Sequence, residues 1–105
     1  MLILSASAHV FAQTVSEELT FEGKQLYENH EYSEALLKLN QSIKVDPKYH
    51  LAYYVRGVIK KDLGDFQSAL RDLDKSLDLN GKFFEAYLER GSVKYELQDF
   101  KGAID

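Results

Sequence analysis

At 105 residues and 12.1 kDa the chain has room for one small domain, and its 45% hydrophobic, 29% charged composition is globular and excludes a disordered chain. Thirteen Lys and Arg against 17 Asp and Glu leave a net charge of −4, which offers no field for a phosphate backbone and argues against nucleic acid as a partner. The absence of cysteine removes disulfides, thiolate metal sites and thiol catalysis, and no apolar run approaches the ~18 residues that span a bilayer.

The chain opens MLILSASAHVFAQ, and its first charged residue is Glu17. An apolar stretch, then small residues, then Val10-Phe11-Ala12 before Gln13 follow the order of the end of a secretory signal peptide cleaved after Ala12. No basic segment precedes it, and Leu2-Ile3-Leu4 is shorter than the usual apolar core of about 7–15 residues. Residues 1–12 are therefore read as a signal remnant or an unstructured apolar tail, and residues 13–105 as the folded domain. The remnant implies an exported protein, periplasmic or extracellular; the tail leaves it cytoplasmic.

From there the apolar spacing predicts helices near 15–29, 32–45, 50–63, 66–79 and 84–97, with a sixth beginning at Phe100. Thr14-Val15-Ser16-Glu17 fits a capping box that opens the first helix. Phe66, Ala69, Leu70, Leu73 and Leu77 recur at helical spacing. Asp65 and Asp99 stand where they can accept the free amides that open a helix. Asp46-Pro47 closes one helix pair, because proline cannot continue a helix, and Asn80-Gly81 closes the next with a left-handed cap residue.

Self-similarity is the strongest feature. Gly23, Gly57 and Gly91 are 34 residues apart, as are Tyr32, Phe66 and Phe100, and Ala35, Ala69 and Ala103. The same offset joins Tyr53 to Tyr87, Arg56 to Arg90, Leu39 to Leu73 and Ser42 to Ser76. The chain is a tandem array with units near 16–49, 50–83 and 84–105. A glycine inside a helix costs about 1 kcal/mol against alanine, so its recurrence implies that two helices approach too closely there for a side chain, with the alanines opposite. Tyr32, Phe66 and Phe100 then fill the mouth of each helix pair. Ile104-Asp105 falls one turn into the sixth helix, so the third unit is half built, with Tyr87, Gly91 and Lys94 facing no partner. A solenoid needs capped ends, and the expectation is a piece of a longer array or an open end available for self-association.

This period resembles the tetratricopeptide repeat. The resemblance is carried by Tyr53-x-x-Arg56-Gly57 and Tyr87-x-x-Arg90-Gly91, by Gly64-Asp65-Phe66-x-x-Ala69 and Gln98-Asp99-Phe100-x-x-Ala103, and by Val45-Asp46-Pro47, and it covers residues 15–105. It implies an all-α fold, a right-handed superhelical solenoid of antiparallel helix pairs with its third unit truncated. It further implies a non-catalytic module that binds a peptide or protein surface in a concave groove lined by the first helix of each unit. By helix position that groove holds Glu17, Thr20, Lys24, Tyr27 and Glu28, then Leu51, Tyr54, Val58, Lys61 and Asp62, then Glu85, Leu88, Ser92, Tyr95 and Glu96. Tyr27, Leu51, Tyr54, Val58, Lys61, Leu88 and Tyr95 are the candidate partner-binding residues, the aromatics because they give contact area at low entropic cost; the same rings could instead pack between units. Members of the family that clamp the C-terminal carboxylate of chaperone tails use cations and an asparagine from three first helices. The corresponding places here hold Thr20, Lys24, Val55, Glu85 and Glu89, and two acids there argue against such a clamp.

Other chemistry is not expected. His9, His30 and His50 lie in separate units, without the clustered ligands of a metal site. Asp72-Leu73-Asp74-Lys75-Ser76-Leu77-Asp78 superficially resembles a calcium loop but has Leu77 where the glycine belongs, and reads as a solvated helix face with Arg71 and Lys75 as partners. No phosphate loop or catalytic constellation stands out, so no cofactor and no enzymatic activity are expected. The alternatives are a regulatory or targeting segment of a larger enzyme or signalling protein extending past residue 105, and an exported module that binds a small molecule or glycan through its groove tyrosines.

Overall fold

The computed structural model describes the backbone of residues 2–104 and the side chains of residues 7–98. Five helices follow in order: α1 (Leu2–Glu28), α2 (Tyr32–Val45), α3 (His50–Asp62), α4 (Phe66–Leu79) and α5 (Phe84–Ile104). Among the described residues there is no strand. α1 and α2 form one antiparallel pair and α3 and α4 the next; α5 packs on α4 and touches α3, so the chain is an all-α helical repeat solenoid.

The burial pattern follows the period. α2 buries Ala35, Leu39 and Ser42, and α4 buries Ala69, Leu73 and Ser76, the same face one repeat later. Ala35, Leu39, Val55 and Ile59 make one core, and Ala69, Leu73 and Val93 the next. Full burial of each large aliphatic contributes roughly 1.5–3 kcal/mol. Tyr54 packs against both cores and so joins the units. Tyr32 and Phe66 close the helix pairs as the sequence implies.

The close approach at glycine is present in two units. A β-carbon on Gly23 would lie 3.0 Å from Leu39 Cγ and 3.3 Å from the Ala35 carbonyl oxygen; on Gly57 it would lie 3.1 Å from Leu73 Cγ and 3.3 Å from the Ala69 oxygen. Gly91 meets nothing within 4 Å, because α5 has no second helix folded back on it among the described residues. Its expected neighbour Ala103 lies outside the described side chains.

Polar contacts repeat as well. Asp46 and Asn80 accept the backbone amides of Lys48 and Lys82 at 3.1 and 3.2 Å, so Asp-Pro and Asn-Gly build the same turn through one short side chain. Each turn carbonyl is then capped from the next helix, Tyr53 hydroxyl to Pro47 and Tyr87 hydroxyl to Gly81, both at 2.9 Å. Arg56 and Arg90 lie over the rings of Tyr53 and Tyr87.

Several local expectations are corrected. α1 begins at Leu2, ahead of the start near residue 15 that the apolar spacing predicts. The capping box at Thr14 is absent: Thr14 hydroxyl donates to the Val10 carbonyl inside the helix, and Ser16 is buried against Ser42. Gly81 is not the left-handed residue. That conformation falls at Gly64 (φ 83°) and His30 (φ 63°), inside the helix pairs, where Asp65 and Glu31 amides reach back to the Lys60 and Leu26 carbonyls. The equivalent position in the third unit is Gln98, which lacks the freedom of glycine, and α5 runs straight through it to Ile104. The sixth helix expected from Phe100 is therefore not separate, and the Asp99 and Phe100 side chains lie outside the described set. Asp72 is not on a solvated face: it is 5% exposed and is held by Arg56 at 2.7 and 2.8 Å and by Lys60 at 3.0 Å, while Asp74 pairs with Arg90. Asp65 does cap α4, accepting the Ser68 amide.

Candidate functional site

The parallel first helices α1, α3 and α5 place residues one repeat apart side by side, so columns of the sequence become rows across one face. Direct contacts join the ends of α1 and α3 and tie α3 to α5. Tyr27 donates its hydroxyl to Asp62, and Lys61 pairs with Glu89 at 2.5 Å. Burial, and then the Asp62 carboxylate that accepts its hydroxyl, hold the Tyr27 phenol above the ordinary phenol range.

At the other end a pocket of about 320 Å³ opens between α1 and α3, with Thr20, Leu51, Tyr54 and Val55 lining it and Glu17 and Lys24 at its edge. Burial raises the Tyr54 phenol first, and the charges of Glu89 and Glu85 raise it further. Tyr54 stacks edge-on to Phe83 with centroids 4.8 Å apart.

Of the candidate residues, Tyr27, Leu51, Tyr54, Val58 and Lys61 are half-buried, while Leu88 and Tyr95 are 58% and 63% exposed. Tyr54 serves as both packing and surface: it packs against both cores and, half-buried, lines the pocket. Thr20 is mostly withdrawn; it is buried and its hydroxyl lies 2.8 Å from Ser42 Oγ. Sequence reasoning missed Phe83, which packs edge-on against Tyr54 from the loop before α5, and Tyr49, which lines the pocket from the loop before α3. Their sign was available, since an aromatic follows the turn lysine in both units, at Tyr49 and Phe83.

A larger pocket of about 610 Å³ lies between the start of α4 and the later part of α5, lined by Gly64, Asp65, Phe66, Gln67, Lys94, Leu97 and Gln98. It is the space left beside α5 where the other units carry a second helix. Among the described residues no group of three or more His, Asp or Glu could hold a metal, and no helix is long and apolar enough to cross a membrane.

Residues 50–83 match the family model of the tetratricopeptide repeat. Among solved structures, the first TPR of Spaghetti (RPAP3), bound to the HSP90 peptide SRMEEVD, superposes with a TM-score of 0.79 at 23% identity over 87% of this chain and 74% of that one. The Arabidopsis OM64 TPR domain gives 0.79 at 26% identity over 86% and 74%. The TPR2B domain of yeast Sti1 in its pHsp70 complex gives 0.77 at 22% identity over 86% and 72%. No curated protein matches the chain by sequence.

Proposed function

Since the chain is a tetratricopeptide-repeat protein, we propose that it is a non-catalytic module that holds a segment of a protein partner against the face made by α1, α3 and α5. The observation that carries this reading is the exposure of Leu88 and Tyr95 in the same rows as Tyr54 and Lys61, with Tyr54 itself lining the α1–α3 pocket. Large side chains left in water on a concave face are the usual anchors of an interface. Two of the similar domains are bound to chaperone peptides, which supports a peptide as the kind of ligand.

The ligand itself is not an acidic chaperone tail. The charges of Glu85 and Glu89 act on Tyr54, and Lys61 is already paired with Glu89. A C-terminal carboxylate brought there meets like charge.

The test is selection of a binding peptide from a random display library, followed by calorimetric titration against the native chain and Leu88→Ala. Loss of a central anchor is expected to weaken binding about tenfold or more with helical content unchanged. Leu37→Ala, exposed on α2, should have no effect. Equal affinity for the native chain and Leu88→Ala would remove the site from this face.

A further inference from the structure

The first half of α1 belongs to the helix but not to the packed fold. The side chains of residues 7–11 are exposed, Val10 by 58% and Phe11 by 71%, and Ala12 is half-buried. Full burial begins at Ser16. Among the described residues Ser16 is also where α1 is first hydrogen-bonded to another helix: its hydroxyl lies 2.6 Å from Ser42 Oγ, and Ser42 donates to the Ser16 carbonyl at 2.8 Å. Up to that point the chain carries no Lys, Arg, Asp or Glu. A second feature lies at the same boundary. Thr14 and Glu17 have the spacing of a capping box, in which the threonine oxygen accepts the amide of the glutamate and the carboxylate accepts the amide of the threonine. In the unbroken α1 neither role is open to them. Both amides are inside a continuous helix, and the Thr14 hydroxyl donates to the Val10 carbonyl at 3.0 Å. Loss of the residues up to Ala12 would remove that carbonyl and leave a first turn whose free amides a capping box satisfies.

We infer that the bond between Ala12 and Gln13 is a signal-peptidase cleavage site, and that the exported repeat domain begins at Gln13 with Thr14 as the cap of α1. Water adds to the Ala12 carbonyl carbon and the C–N bond breaks; Ala12 leaves as a carboxylate and Gln13 becomes the new amino terminus. The cut falls in the extended chain during export, before α1 forms. Val10-Phe11-Ala12 supplies the A-x-A-like pattern that such an enzyme takes, with valine at the first place and alanine beside the bond. Ala6-Ser7-Ala8 offers the same pattern earlier. A cut after Ala8, however, leaves Val10 and Phe11 in water and the Thr14 hydroxyl still on the Val10 carbonyl. A cut after Ala12 removes all three and takes nothing from either core.

The experiment incubates the full chain with a purified bacterial signal peptidase in detergent micelles and reads the products by intact mass. A product that begins at Gln13 is expected. Ala12→Leu should abolish it, because a branched side chain replaces the methyl group beside the bond, and Ala8→Leu should leave it unchanged. Thr14→Ala gives an independent reading by thermal unfolding. In the cleaved domain loss of the cap should lower the midpoint by about 4–8 °C. In the uncleaved chain Thr14 is mid-helix and alanine is the better helix former, so the midpoint should not fall. No cleavage, a product that begins anywhere else, cleavage of Ala12→Leu at the native rate, or an equal effect of Thr14→Ala before and after cleavage each overturns the inference.

Discussion

Gly57 and Gly91 occupy the same position of the repeat in different surroundings, so alanine at each gives a matched measurement of helix approach. Both substitutions replace a mid-helix glycine and gain about 1 kcal/mol of helix propensity. At Gly91 nothing lies within 4 Å of the new carbon, so the gain should appear in full. At Gly57 the carbon arrives 3.1 Å from Leu73 Cγ and 3.3 Å from the Ala69 carbonyl oxygen. Leu73 is fully buried and cannot swing away, and the carbonyl belongs to the backbone of α4. Overpacking of this kind costs about 1–3 kcal/mol, which cancels or exceeds the propensity gain. The two variants should therefore differ by about 1–3 kcal/mol, Gly91→Ala above the native chain and Gly57→Ala at or below it. Thermal unfolding followed by circular dichroism reads this directly, since each kcal/mol moves the midpoint of a domain this size by about 4–8 °C. Equal shifts in the same direction would refute the close-approach explanation for the recurring glycine.

Two further outcomes follow from buried polar groups. Asp72→Asn removes the charge that holds Arg56 and Lys60; because those cations keep 20% and 21% exposure, the loss in urea unfolding should be about 1–3 kcal/mol, and a change under about 0.5 kcal/mol would mean the cluster behaves as a surface pair. His50 is kept below its ordinary value of 6.5 by burial, so the unfolded chain binds the proton more readily: stability should fall as pH drops below 6.5, and His50→Gln should lose that slope between about pH 7 and 5. A native-like slope in the variant would assign it elsewhere.

The expectations that succeeded were those set within one helix pair. The boundaries of α2, α3 and α4 agree with the apolar spacing to within a residue, because Asp46-Pro47, Asp65 and Asn80 act on their immediate neighbours. The misses share another cause. Asp72 was given partners on its own helix, whereas Arg56 lies 16 residues earlier on α3. Ser16 was placed inside a capping box opened by Thr14, whereas its hydroxyl meets Ser42, 26 residues away on α2. Tyr54 could be read as surface or as core, and it is both, since it packs against the cores of two units and, half-buried, lines the pocket.

Sequence by itself determined the repeat: a period of 34 residues repeated in glycine, alanine and aromatic positions specifies antiparallel helix pairs stacked side by side, because each unit can bury its apolar stripe only against the next. Tertiary structure alone decided which members of each column face water. Gly57 and Gly91 are alike in sequence and differ in packing, and Thr20, Tyr54 and Leu88 share one column yet are buried, half-buried and exposed in turn. Burial depends on the neighbouring helix, and the neighbour changes from one unit to the next.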